Sequence, residues 1–478
     1  MNLYATQLEC LLVILGIGTL LTDAFRPTGN RCALGYTLAT LVAITLLYSF
    51  TLKPMDETFF HGMYRLDLFA LFFKRLFLLA TALVLVAGAE FAERFETGAA
   101  EFYALVLLAA TGMLIIASVN DFILLFVALE LVTITFYVLT SYLRRQVPSL
   151  EAGTKYLILG ALSSGFMVYG IAFVFGTTGT TNFDKLSGQL SAVSGQPNTA
   201  FVLGMLLVLT GLGFKIASVP FQMWVPDVYQ GAPTPVTAFL ATGSKAAGFA
   251  LLLRVMLAGL LPVKLVWMPL LLVLAGATLA YGNLGAISQG NIKRLLGYSS
   301  IGHAGYLLMG LAAANEIGTS AVLFYLVQYA FTTLCAFLVV VAVGSDEING
   351  YNGLGRRSPL LGLALFMAMA SLAGVPPLSG FFGKLQLFMA VIERAAMDWH
   401  YYVLAGIGAA AVVVSLYYYF NVARAIYMER AGDESPVRVS MVMRLTLWGC
   451  MAAMIGLGLW PRPLVEAAQK AVTMFQLN

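Results

Sequence analysis

Charge is what this sequence has least of. Only 10% of its 478 residues are Asp, Glu, Lys or Arg, while 60% are hydrophobic; soluble domains carry about 25% charged residues. Such a chain has too little polar surface to coat a soluble globule, and it reads as a polytopic membrane protein. Cysteine is also sparse: Cys10, Cys32, Cys335 and Cys450 form no CxxC pair, which excludes a cysteine-ligated iron–sulfur cluster or a dithiol redox site in this chain. The three histidines, His61, His303 and His400, lie far apart. No GxGxxG follows a strand and no GxxxxGK[ST] is present. The chain therefore shows no means of holding a nucleotide, flavin, haem or metal, and the net charge of +4 is too small to suggest a nucleic-acid partner.

What is abundant is long apolar runs, each close to the ~20 residues that a helix needs to cross a bilayer. About fourteen recur, near residues 3–22, 32–52, 67–89, 101–119, 121–142, 156–178, 200–230, 235–260, 266–288, 294–314, 318–343, 358–392, 399–428 and 440–460. Two of them, 200–230 and 358–392, are interrupted. The expected fold is all-α, with nothing left for a soluble domain. The first run lacks a basic leader and a small-residue cleavage site, so it is expected to be retained as a span.

Basic residues are unevenly shared between alternate loops. One side holds Arg26, Arg31, Arg94, Arg144, Arg145, Lys293, Arg294, Arg356, Arg357, Arg424, Arg430, Arg438 and Arg444. The other holds Lys53, Arg65, Lys185, Lys264, Arg394, Arg462 and Lys470. Because cytoplasmic loops are enriched in Lys and Arg, the first side is expected to be inner and both termini outer.

Seven basic residues fall inside the runs. Lys74 and Arg75 lie about two turns into their span and Arg254 near the outer end of its own, depths from which a long side chain can snorkel to the interface. Lys155 opens its span at the inner side and could point inward from there. Lys245 cannot reach water so easily, since "TPVTAFLATGSKAAGFALLL" places it about ten residues, or roughly 15 Å, into an apolar helix. Glu130, in "NDFILLFVALELVTITFYVL", is the single carboxylate near the middle of a span. A charge at such depth costs about 2.5–3.5 kcal/mol on insertion scales, so it is paired or faces a hydrated interior and is a functional candidate by default.

The interrupted runs share a pattern. "GLGFKIASVPFQMWVP" joins Lys215 to a break at Pro220, and "ASLAGVPPLSGFFGK" joins a break at Pro376 and Pro377 to Lys384. Proline removes an amide donor and frees carbonyls, which is tolerable in a membrane only inside protein or beside a hydrated cavity. The breaks are five spans apart, and an odd number inverts the second copy, as in transporters built from inverted repeats with discontinuous helices. This divides the chain into an N-terminal three-helix segment (1–100), two inverted five-helix repeats (101–260 and 264–430) and a C-terminal helix with its tail (431–478).

These residues carry a resemblance. The stretch "FKIASVPFQMWVPDVYQGAPTPVTAFLATGSKAAG", with "NIKRLLGYSSIGHAGYLL", "SLAGVPPLSGFFGK" and "SLYYYFNVARAIY", resembles the antiporter-like membrane subunits of respiratory complex I, the proton-translocating NADH-quinone oxidoreductase. The match covers about residues 60–460. It implies that Glu130 pairs with Lys215, that Lys245 and Lys384 continue a central hydrophilic axis, that His303 is the polar group between its two halves, and that Lys155 belongs to the input route. It implies a subunit driven by quinone reduction elsewhere, with flavin, iron–sulfur clusters and quinone in partner subunits and none here. M-like and K-like neighbours, lipids, protons and internal water are the expected partners, and a bacterial inner membrane the expected location.

Lysine suits proton carriage because burial disfavours an ammonium while a nearby carboxylate favours it, so moving a carboxylate switches a buried lysine between releasing and holding a proton. Arginine does not deprotonate and cannot substitute. Three alternatives share the pattern: a subunit of a multisubunit sodium/proton antiporter, a subunit of a ferredoxin- or hydrogen-oxidising relative, and a non-conducting bridging subunit.

Overall fold

A computed structural model describes residues 4–25, 30–55, 57–95, 98–192, 197–430, 432 and 435–475. Arg26 of the basic loops, and Ala431, Asp433 and Glu434 of the loop before the final span, lie outside the described residues. The fold is all-α apart from a small antiparallel hairpin, Thr58–Phe59 against Tyr64–Arg65.

The helices in chain order are α1 (Gln7–Phe25), α2 (Arg31–Ser49), α3 (Leu68–Phe91), α4 (Ala99–Ala117), α5 (Phe122–Thr140), α6 (Val147–Thr178), α7 (Phe183–Ala192), α8 (Thr199–Ile216), α9 (Trp224–Gly231), α10 (Thr234–Phe239), α11 (Lys245–Arg254), α12 (Lys264–Ala286), α13 (Ile292–Ala312), α14 (Glu316–Val343), α15 (Leu354–Arg357), α16 (Pro359–Ala373), α17 (Ser379–Ala395), α18 (His400–Tyr427), α19 (Met441–Leu459) and α20 (Arg462–Val472). Among the described residues, twelve helical segments are long and apolar enough to cross a membrane. Two expected spans fall outside that set and are helical nonetheless. One is α13, made less apolar by Lys293, Arg294 and His303; the other is the broken pair α16 and α17.

Polar residues at run edges start the helices. Asn30, Asp67, Asp121, Asn198, Asn291, Asn315 and Ser440 each accept a hydrogen bond from a backbone N–H of the first turn, which gives an acceptor to donors that the helix itself leaves unpaired. Two short helices were not anticipated. The amphipathic α7 follows α6, and α20 folds back after α19 to pack on α14 and α3, with Phe475 edge-on to Phe69. Helix α6 also begins at Val147, about nine residues before the expected 156, because Pro148 fits the first helical turn.

Both interruptions are real. Helix α8 stops at Ile216 with Ala217 in the left-handed region (φ 64°), and the chain resumes as α9 at Trp224. Helix α16 stops at Ala373 with Gly374 at φ 90°, and α17 begins at Ser379. Each break contains one cis bond, Val219–Pro220 or Pro376–Pro377. The segment Thr234–Gly259 is enclosed on all sides by protein. It consists of α10, a π-helical turn Leu240–Ser244, α11 and a second π turn Val255–Gly259.

Candidate functional site

Lys215 is buried at the end of α8, and its ammonium donates to the Thr133 hydroxyl at 3.0 Å and the Tyr156 hydroxyl at 3.3 Å. Glu130 lies one helical turn before Thr133 on α5, and it accepts a hydrogen bond from Ser164 on α6 instead. The two charges are not in direct contact, which differs from the expected pair. Beside Lys215 a cavity of about 10 Å³ is lined by Leu129, Met167 and Phe214 as well as by Thr133, Ser163, Ser164 and Lys215, and the buried Ser163 hydroxyl has no protein partner. The volume is about that of one water molecule, and Thr133, Ser163 and Ser164 would be its polar partners.

From Tyr156 the row continues into the enclosed segment. Ser244 lies against the Tyr156 hydroxyl, and the next residue, Lys245, follows the π turn directly. π turns gather at functional sites because they re-aim a side chain. The Lys245 ammonium donates to both the carbonyl and the hydroxyl of Ser300 on α13, and the Ser300 hydroxyl lies 3.3 Å from that of Tyr229.

One turn along α13, His303 is held on both ring nitrogens. Nδ1 lies 2.7 Å from the Tyr325 hydroxyl and Nε2 lies 3.0 Å from the Tyr419 hydroxyl, which also bonds Ser299. A neutral imidazole donates from one nitrogen and accepts at the other. A change of tautomer therefore moves a proton from one tyrosine side to the other. Lys245 and Lys384 are both within electrostatic reach of His303.

Lys384, on the first turns of α17, donates to the carbonyls of Leu372 and Ala373, each at 2.9 Å. Those carbonyls end α16, so the break exposes the negative end of one half-helix to the ammonium carried by the next. Its ammonium also lies 4.9 Å from the centre of the Tyr306 ring. The two breaks are thus not copies in detail, because Lys215 precedes its break and Lys384 follows its own.

Lys155 does not point into this row. It is part-exposed and pairs with Glu151 at 2.6 Å and Asp227 at 2.7 Å, and Asp227 also binds Arg294 at 2.6 Å. This cluster ties α6, α9 and α13 together at the arginine-rich end. The expectation that Lys74 and Arg254 snorkel is overturned. Lys74 is buried against Glu9 at 2.6 Å, and Arg254 is buried with two bonds to Asp67, at 2.5 and 3.1 Å. Neighbouring helices cover both stems, so there was no lipid path to the surface. Arg75 is half-buried and donates to the Ser49 carbonyl at 3.1 Å. Glu9 is a buried carboxylate, whereas Glu130 is only half-buried, and it was unnoticed because it opens its helix.

The hydroxyls that surround the lysines and His303 were missed as well. Their signal was spacing: Ser299 and Ser300 sit one turn before His303, and Tyr325 and Tyr329 are four apart and share a face of α14. Among the described residues no cluster of three or more His, Cys, Asp or Glu could hold a metal ion.

An apolar bundle with two broken helices and a buried lysine row defines an antiporter-like membrane subunit. The family described as NADH:quinone oxidoreductase/Mrp antiporter, TM, matches residues 119–415. NADH-quinone oxidoreductase subunit N of Heliobacterium modesticaldum is 40% identical over 98% of this chain and 99% of its own. Subunit N of Moorella thermoacetica is 40% identical over 99% of each. A chain of respiratory complex I from Thermus thermophilus, solved with aureothin bound, superposes with a TM-score of 0.81 at 33% identity, covering 96% of this chain and 98% of its own. The Mrp complex from Dietzia shares the fold at 22% identity, with a TM-score of 0.83, over 100% of this chain and 99% of its own. The chain belongs to the family of antiporter-like subunits of NADH-quinone oxidoreductase, among its subunit N members. It is a multi-pass membrane protein, and its relatives are parts of multisubunit enzyme complexes.

Proposed function

We propose that this chain carries protons across the membrane as part of the membrane arm of an NADH-quinone oxidoreductase, driven by quinone reduction in partner subunits. The observation that carries the reading is the set of buried groups Lys215, Lys245, His303 and Lys384, each with polar partners of its own: Tyr156 and Thr133 at Lys215, Ser300 at Lys245, Tyr325 and Tyr419 at His303, and the carbonyls of Leu372 and Ala373 at Lys384. Among proton-carrying side chains, lysine exchanges a proton while arginine does not. The separation of Glu130, held by Ser164, from Lys215, held by Thr133 and Tyr156, supports a switch. When the carboxylate approaches, Lys215 keeps its proton; when it withdraws, the proton passes towards Lys245, His303 and Lys384. Lys155 with Asp227 and Arg294 marks the input mouth.

The breaks at Pro220 and at Pro376 and Pro377 support two inverted five-helix units, 101–260 and 264–430, flanked by 1–100 and 431–478. Flavin, iron–sulfur clusters and quinone belong to partner subunits, with M-like and K-like neighbours beside this chain in a bacterial inner membrane.

The test is proton pumping against electron transfer in vesicles holding the whole assembled complex, with Lys245→Ala beside the unaltered protein. Loss of pumping, alone or with redox activity, is expected. Normal stoichiometry and rate in the variant would make the lysines structural and this subunit a bridge.

A further inference from the structure

Lys155 turns toward Glu151 and Asp227, so the charged groups at the inner mouth stop short of Lys215. One hydroxyl between the two has no role in the steps above. Tyr137 lies on α5 one turn beyond Thr133 and two turns beyond Glu130, and the three share a face of that helix. Because α5 ends beside Arg144 and Arg145, Tyr137 sits on the inner side of the Thr133 hydroxyl that holds Lys215.

The Tyr137 oxygen is buried and, like the Ser163 hydroxyl on α6, has no hydrogen-bond partner among the described residues. A buried hydroxyl is costly unless something pairs with it, so two in one seam between α5 and α6 mark a place for a water. Helix α6 makes room there. At Gly160 an added Cβ would collide with the Tyr137 hydroxyl, so the oxygen rests on the helix backbone where only glycine fits. Gly160 is also a wall of the cavity of about 10 Å³ beside Lys215, with Thr133, Ser163 and Ser164. On its other edge the Tyr137 ring meets that of Tyr156 edge-on, with centroids 5.3 Å apart, and the Tyr156 hydroxyl bonds Lys215. Tyr137 thus borders the surroundings of Lys215 on two sides.

We propose that Tyr137 hands protons to Lys215 from the inner side, through one water in the cavity at Gly160 and Ser163. The step rests on the reading of Lys215 as a proton carrier. When Lys215 is a neutral amine it takes a proton from the water, the water takes one from the Tyr137 hydroxyl, and the Tyr137 oxygen takes the proton arriving from the inner side. Three bonds to hydrogen break and three form, and both the tyrosine and the water end as they began. Moving the three protons together avoids a buried phenolate, which is costly away from water. Ser163 is a positioning residue whose hydroxyl anchors the water, and Gly160 keeps the oxygen of Tyr137 close to it.

The test uses the whole assembled complex in vesicles, with turnover, protons pumped per electron and thermal stability measured for each variant. Tyr137→Phe removes only the oxygen. Coupled turnover is expected to fall on the order of tenfold, and the solvent deuterium isotope effect to rise as the proton step becomes limiting. The thermal midpoint should hold or rise, because an unpaired buried hydroxyl is gone. Ser163→Ala should act in the same direction, and the double variant should lose no more than the larger single loss, since both interrupt one path. Normal turnover and pumping in Tyr137→Phe, beside a Lys215→Arg variant that fails to pump, would overturn the Tyr137 step and leave Lys215 as the carrier; normal pumping in both would remove Lys215 as well. A loss of turnover in Tyr137→Phe that tracks a lower thermal midpoint, with an unchanged isotope effect, would make the ring a packing group and also overturn the step.

Discussion

Arginine and lysine divide the interior between them by chemistry. Arg254 is fixed by two bonds to Asp67 and one to the Ala117 carbonyl at 2.8 Å, and it stacks over Phe69; a planar, permanently charged fork suits such a joint. Removing one member of a buried pair leaves the other uncompensated, at a cost of about 3–5 kcal/mol. Arg254→Leu is therefore expected to lower the yield and thermal stability of the assembled complex, and Arg254→Lys to restore it only in part. Lys215 sits among hydroxyls that a mobile proton can use. Lys215→Arg preserves the charge and should abolish pumping with assembly intact, measured as proton uptake per electron in vesicles; full pumping by this variant would remove Lys215 from the path. Tyr419→Phe breaks the contact between His303 and Ser299, and turnover coupled to pumping is expected to fall on the order of tenfold.

At the scale of the element, the broken helices show why a lysine and a break occur together. Ending α16 in mid-membrane leaves carbonyls without amide partners, and the Lys384 ammonium fills two of those vacancies. Gly374 makes this possible twice over. Its φ of 90° disfavours any side chain, and an added Cβ would lie 3.0 Å from Lys384 Cδ. Gly374→Ala should thus displace the ammonium from its carbonyls. The expected result is a complex that assembles, with a stability loss of about 1–2 kcal/mol, and whose pumping falls far more than its stability; unchanged pumping would separate the break from conduction. The first break is satisfied differently. The Val219 N–H donates to Thr278 on α12 and the Trp224 indole to the Phe214 carbonyl, each at 3.0 Å, so Lys215 is free to face α5 and α6.

For the whole molecule, the proposed orientation rests on the arginine-rich loops and has a direct test. Lys470 on α20 is exposed at the end opposite those loops. With the four native cysteines replaced by serine, Lys470→Cys is expected to react with a membrane-impermeant maleimide added to intact cells whose outer layer is made permeable. Reaction only after lysis would invert the topology. The same polarity places the Lys155, Asp227 and Arg294 cluster at the inner mouth. Because these groups are partly exposed and screened, the cluster adds about 1 kcal/mol at most per pair, and its use is to hold the mouth together.

The sequence by itself determined the membrane setting, the all-α fold and the two breaks, and it marked Glu130, Lys215, Lys245 and Lys384 as candidates. These follow from local properties: run length, the rarity of charge and the missing donor of proline. Partner choice was decided only by the tertiary structure. Whether Lys74 snorkels or meets Glu9, whether Glu130 touches Lys215 or Ser164, and which tyrosines flank His303 depend on how helices distant in sequence are rotated against one another. Apolar runs with little amphipathic character leave that rotation unspecified, because in lipid every face of such a helix is acceptable until packing and a few buried polar groups choose one.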